Sequence, residues 1–132
     1  MDDKDLIAHA KDAREHAYAP YSRFKVGAAL QGRSGKVYTG CNVENASYPA
    51  GICAERCAVG KAVSEGEREF SAIAVVGDSE GPCAPCGICR QVLLEFNPAM
   101  RVIMTNLEGD TRILAVSELL PGAFGKADLP NE

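Results

Sequence analysis

The chain has 132 residues, 46% hydrophobic and 24% charged, with a formal net charge of -4 at pH 7. That balance suits one globular domain over residues 1–132, large enough to bury a core, and excludes a disordered chain. The acidic excess excludes a phosphate-tracking nucleic-acid surface, and no apolar run approaches the ~18 residues of a membrane span. A small-molecule partner is expected instead. The opening Met1-Asp2-Asp3-Lys4-Asp5 has neither the basic region nor the apolar run of a secretory signal, so a cytoplasmic location is expected, with the six cysteines reduced or on metal.

A helix is expected from about Asp3 to Tyr18, with Leu6, Ile7, Ala10, Ala13 and Ala17 on one stripe and Pro20 closing it. His9 and His16 roughly share a face and read as edge positions. Phe24 to Leu30 and Lys36 to Cys41 read as two strands of a hairpin around Gly32-Arg33-Ser34-Gly35. Asn42 to Ile52 is a polar loop, the kind of segment on which binding groups tend to sit.

From Cys53 to Ser64, Ala58, Val59, Ala62 and Val63 form the next apolar stripe, and Glu65-Gly66 ends the helix. Glu55 falls on that stripe, where a carboxylate without a role would be costly. Phe70 to Val76 is an apolar strand, Gly77 to Pro85 a loop, and Cys86 to Phe96 a helix with Cys89, Val92, Leu93 and Phe96 inward. Arg101 to Thr105 is a strand again, and strand, helix, strand at this spacing implies a right-handed crossover and a parallel pair. After a turn at Asn106 to Asp110 come a last strand, Thr111 to Ala115, and a short helix, Ser117 to Leu120. Pro121-Gly122-Ala123-Phe124-Gly125 then breaks into a polar tail. A mixed five-stranded α/β sheet between helices is expected.

Two helix starts carry the chemistry: Cys53-Ala54-Glu55-Arg56 and Pro85-Cys86-Gly87-Ile88-Cys89. Three thiols match a catalytic zinc site, which takes three protein ligands and leaves one position open, whereas a structural site closes all four. Glu55, two residues after a ligand, is the candidate base. Three thiolates leave a negative centre; the helix N-termini and the neighbouring Arg56 can offset it. Cys41 and Cys57 read as small buried hydrophobes. Cys83 leaves an alternative open, a closed four-cysteine structural module without catalysis.

A ligand-x-Glu followed by Pro-Cys-x-x-Cys resembles the signature of the zinc nucleobase deaminases. The resemblance narrows with Ala19-Pro20-Tyr21-Ser22-Arg23-Phe24-Lys25-Val26-Gly27-Ala28-Ala29-Leu30, Cys41-Asn42-Val43-Glu44-Asn45-Ala46 and Glu118-Leu119-Leu120-Pro121, which are similar to the small homotetrameric cytidine deaminases over nearly the whole chain. It implies a three-layer α/β/α sandwich and hydrolysis of cytidine or 2'-deoxycytidine to the uridine and ammonia, as in pyrimidine salvage. It also implies a zinc ion in each subunit held by Cys53, Cys86 and Cys89, with Glu55 carrying protons as both base and acid. Asn42 and Glu44 match residues that hold the sugar hydroxyl, Phe24 an apolar wall, and Ala46 a residue of the same loop. Ala54 offers its backbone amide to the base carbonyl. Phe124 and Tyr48 match aromatics that reach a neighbouring subunit's site. A deaminase of another aminopyrimidine nucleoside, such as a nucleoside antibiotic, is the alternative enzyme.

Overall fold

The computed structural model describes residues 1–130; the last two residues of the expected domain and polar tail lie outside it. The helix α1 covers Asp3–Arg14, with the Asp2 carboxylate accepting from the Asp5 amide at 2.9 Å as its cap. The strands are β1 (Val26–Gly32), β2 (Val37–Cys41), β3 (Phe70–Gly77), β4 (Arg101–Asn106) and β5 (Thr111–Ala115). The helices α2 (Ala54–Ser64), α3 (Gly87–Phe96) and α4 (Val116–Leu119) complete the set.

The strands form one mixed sheet in the order β2-β1-β3-β4-β5, antiparallel except for β3 and β4, which run parallel around α3. Because successive side chains of a strand point to opposite faces, the sheet builds two cores. Ala29, Ala72, Ala74, Val76 and Ile103 face Leu6 and Ala10 of α1 on one side. Ala28, Leu30, Ile73, Val75, Val102 and Met104 face the other side, where Ala54, Ala58, Val59 and Ala62 of α2 and Leu93 of α3 cover them. The result is the expected α/β/α sandwich.

Glycine sets how closely the helices approach. A Cβ on Gly27 would stand 2.0 Å from the Ala10 carbonyl oxygen, and one on Gly40 2.4 Å from that of Ala54. Gly40 therefore seats the first turn of α2, which carries the site residues, directly on β2. A methyl group there would push that turn off the sheet.

Three expectations need correction. The first helix ends at Arg14, not Tyr18: the amides of Glu15, His16 and Ala17 turn back onto carbonyls three residues earlier. Tyr18 leaves the helix to bond Asn42 and Glu44 of the polar loop. Phe24 is not in a strand: Arg23 takes a left-handed φ of 60°, and β1 begins only at Val26. Finally, Cys53 and Cys86 are caps of α2 and α3 rather than their first residues, with extended backbones.

Candidate active site

The caps of α2 and α3 are thiols where Ser, Thr, Asp or Asn would ordinarily satisfy the first amides. Neither Cys53 nor Cys86 makes a side-chain cap bond. Their sulfurs turn toward each other instead, 3.8 Å apart, and Cys89, on the first turn of α3, brings a third. All three Sγ atoms lie within 4.8 Å of one another. Thiolates about 2.3 Å from a tetrahedral zinc ion stand about 3.8 Å apart, the spacing of Cys53 and Cys86, and Cys89 lies close enough to complete the set. Cys89 is buried, Cys53 half-buried and Cys86 exposed, so one side of the cluster is open.

The electrostatics favour one sulfur anion, at Cys53, while its partner Cys89 is pushed up, first by the bond to Cys53 and then by burial. The bond with Cys89 and then Arg56 hold the Cys53 thiol well below its ordinary range, against the opposing effect of burial. The Arg56 Nη2 donates to Cys53 Sγ at 3.7 Å, while its buried Nε has no hydrogen-bond partner among the described residues. Cys83 does not join the cluster among the described residues. Its amide donates to the Thr105 carbonyl at 3.3 Å, fixing the loop on the end of β4. Its thiol, pushed up to about 11 by burial and then by the charge of Glu55, packs where a Cβ on Gly77 would meet it at 2.7 Å.

Glu55 is 4% exposed on the inner stripe of α2. Burial first, and the Cys53 thiolate in addition, push its carboxyl up to about 7, with its own helical amide pulling the other way. A carboxyl near half-protonation at neutral pH can both accept and return a proton. Two residues from a sulfur cluster with an open side, it is placed for acid–base work on whatever enters there.

The loop expected to bind sugar is stapled to this centre. Val43 exchanges backbone bonds with Ile52, 2.9 Å each, and Ile52 precedes Cys53 directly. Tyr18 joins from the other side: its amide donates to the Asn42 carbonyl at 2.9 Å, and its carbonyl accepts from the Glu44 amide at 2.8 Å. Asn42 is largely committed to the backbone, its Oδ1 accepting from the Val26 amide at 2.9 Å and its Nδ2 donating to the Phe24 carbonyl at 2.8 Å. It therefore holds the segment that presents Phe24.

Glu44 accepts from the amides of Tyr21 and Ser22 at 2.9 and 3.1 Å and from the Ser22 hydroxyl, which holds its carboxyl below the usual range. It lines a cavity of ≈ 410 Å³ with Tyr21, Ser22, Asn45, Tyr48 and Gly51. Ala46 and Tyr48 are exposed on the same loop, the Tyr48 ring edge-on to Tyr21 at 6.2 Å. Ala54, the first residue of α2, is fully buried. Phe24 and Phe124 are 38% and 60% exposed, on separate segments. Sequence reasoning missed Tyr18 and Ser22; a backbone pairing at Tyr18 and a hydroxyl two residues before Phe24 give no periodic signal.

Comparison with known proteins agrees with this arrangement. Residues 1–106 match the family model for the cytidine and deoxycytidylate deaminase zinc-binding region. The chain is 58% identical over 130 residues to the cytidine deaminase of Sporosarcina psychrophila, covering 98% of this chain and 96% of that one. It is 55% identical to the cytidine deaminase of Halalkalibacterium halodurans, covering 98% of both. Among solved structures it superposes on the cytidine deaminase of Burkholderia pseudomallei with a TM-score of 0.92 and 56% identity, over 94% of this chain and all of that one. Three clustered thiols, a buried carboxyl beside them and a match through both ligand motifs have one common explanation: the chain belongs to the cytidine and deoxycytidylate deaminase family.

Proposed function

We propose that this protein is a zinc-dependent hydrolase that converts cytidine and 2'-deoxycytidine to uridine and 2'-deoxyuridine with release of ammonia. The observation that carries the reading is the buried Glu55 carboxyl, two residues from a cluster of three thiols close enough to share one metal ion. Cys53, Cys86 and Cys89 would hold the metal as thiolates, with Arg56 easing their combined charge. Zinc so bound supplies Lewis acidity that brings the deprotonation of water close to neutral pH.

The chain's own part is proton traffic and placement. Glu55 takes one proton from the attacking water and gives it to the ring nitrogen beside the amino-bearing carbon. It then moves the second proton to the departing amino group, so that water and cytidine become uridine and ammonia. The burial that raises its pKa also keeps bulk water from short-circuiting the transfer. Glu44, fixed by Ser22 and Tyr21, is the acceptor for a sugar hydroxyl, and Asn42 keeps one amide hydrogen for the same task. The Ala54 amide is assigned to the base carbonyl, and Phe24 and Ala46 to the walls.

The reading includes a homotetramer. Its support is the aromatic surface: Tyr48 and Phe124 are 76% and 60% exposed, more than a chain working alone would leave to water. On this reading each ring completes a neighbour's site. A reducing, cytosolic setting is in keeping with six free cysteines, and among the described residues no helix is long and apolar enough to cross a membrane.

The test is incubation of the zinc-loaded protein with cytidine, 2'-deoxycytidine and other aminopyrimidine nucleosides, following ammonia and the deaminated product. Cytidine and deoxycytidine are expected to turn over best. Preference for another nucleoside would move the assignment to that substrate, and no ammonia from any of them would contradict the reading.

A further inference from the structure

Two consecutive side chains of α3 join parts of the site that the chain otherwise keeps apart. Arg90 donates through Nε to the Pro85 carbonyl and through Nη1 to the Leu119 carbonyl, both at 2.8 Å. Pro85 is buried and immediately precedes Cys86; Leu119 is the last residue of α4, where helical carbonyls lack partners of their own. Gln91 donates through Nε2 to the Phe124 carbonyl, again at 2.8 Å. Among the described residues this is the one hydrogen bond from the body of the chain to residues 121–125, a segment that turns through Gly122 at a left-handed φ of 64°. The Phe124 ring is exposed, so its backbone is what fixes its direction.

We propose that Arg90 and Gln91 are positioning residues, which use the zinc-bearing helix as the common support of the Cys86 turn and of the Phe124 loop. Arg90 clamps the ligand turn against α4 with a planar fork that lysine cannot reproduce. Gln91 aims Phe124. This second role rests on the proposed function, in which Phe124 helps to bind substrate. The aromatic offered by a subunit is thereby tied to that subunit's own metal helix.

The experiment compares Gln91→Glu, Phe124→Ala and the double variant for KM, kcat and zinc content. A carboxylate is close in size to the amide but cannot donate to a carbonyl, and Gln91 is exposed, so folding is not at stake. Gln91→Glu is expected to raise KM about twofold to fivefold and by no more than Phe124→Ala does, the loss of one hydrogen bond, with kcat within about twofold and zinc unchanged. The double variant should match Phe124→Ala alone, because the bond acts only through that ring. A raised KM for Phe124→Ala with a normal KM for Gln91→Glu overturns the inference, as do additive effects. A normal KM for Phe124→Ala overturns the underlying reading of Phe124 itself. For Arg90→Lys, zinc loss to a chelator without substrate should be about threefold to tenfold faster, while the zinc-loaded protein keeps its wild-type zinc content and circular dichroism spectrum. An unaltered release rate, or a zinc-loaded variant that has lost the native spectrum, would overturn the clamp.

Discussion

The sulfur cluster with Glu55 and the aromatic rim with Phe24, Tyr48 and Phe124 are built in opposite ways. The first sits at the starts of two helices that cover the sheet, with Glu55 and Cys89 buried and Cys86 on its open side. The second stands on connecting segments, and its rings meet solvent. Apolar packing and the close seat at Gly40 fix the inner half before any ligand arrives. The rim is held by a few hydrogen bonds through backbone atoms, such as Asn42 to the Phe24 carbonyl, the Phe24 amide to the Ser22 hydroxyl, and Gln91 to the Phe124 carbonyl. On the proposed function, chemistry is thus placed on the packed part of the chain, and recognition on the part that a substrate or a second copy would cover.

This contrast can be broken at several points. The largest effect should come from Cys89→Ala, which removes the buried ligand: zinc by elemental analysis should fall to about a tenth of wild type or less, with turnover lost in proportion and folding yield reduced. Full zinc with activity would show that the cluster is not the metal site. Next, Phe124→Ala should raise KM about twofold to tenfold, the worth of an aromatic stacking contact at ~0.5–1.5 kcal/mol, leaving zinc and thermal stability intact. Tyr48→Ala should raise KM about twofold, at the low end of the same range, because its ring packs edge-on to Tyr21 at the cavity wall. Cys83→Ser should be the smallest at the site, with full zinc and near-normal turnover. Its cost falls on stability, about 1 kcal/mol for a less apolar group in a buried position. Loss of zinc in that variant would revive the four-cysteine module.

The inner half was the more legible in the sequence, for physical reasons. Helical stripes placed Glu55 and Cys89 inward, and glycine after Ser64 ended α2 where Gly66 takes a φ of 94°. The parallel pair of β3 and β4 followed from the helix between them. What was not legible depends on partners distant in sequence. The Tyr18, Val43 and Ile52 ladder ends α1 early and staples the loop to Cys53, yet it consists of backbone bonds between segments without periodicity. The left-handed Arg23 takes Phe24 out of β1, and non-glycine residues give little warning of that conformation. Arg90 and Gln91 read as ordinary polar residues of a half-exposed helix until their carbonyl partners come into view.

The central claim is that Glu55 carries the protons while the three cysteines carry the metal, and Glu55→Gln separates the two. The amide keeps the size of the side chain but cannot take up the proton. Measured on the same sample, zinc content should equal that of the wild type while turnover of cytidine falls at least about a hundredfold. Full zinc with a loss of tenfold or less would contradict the account.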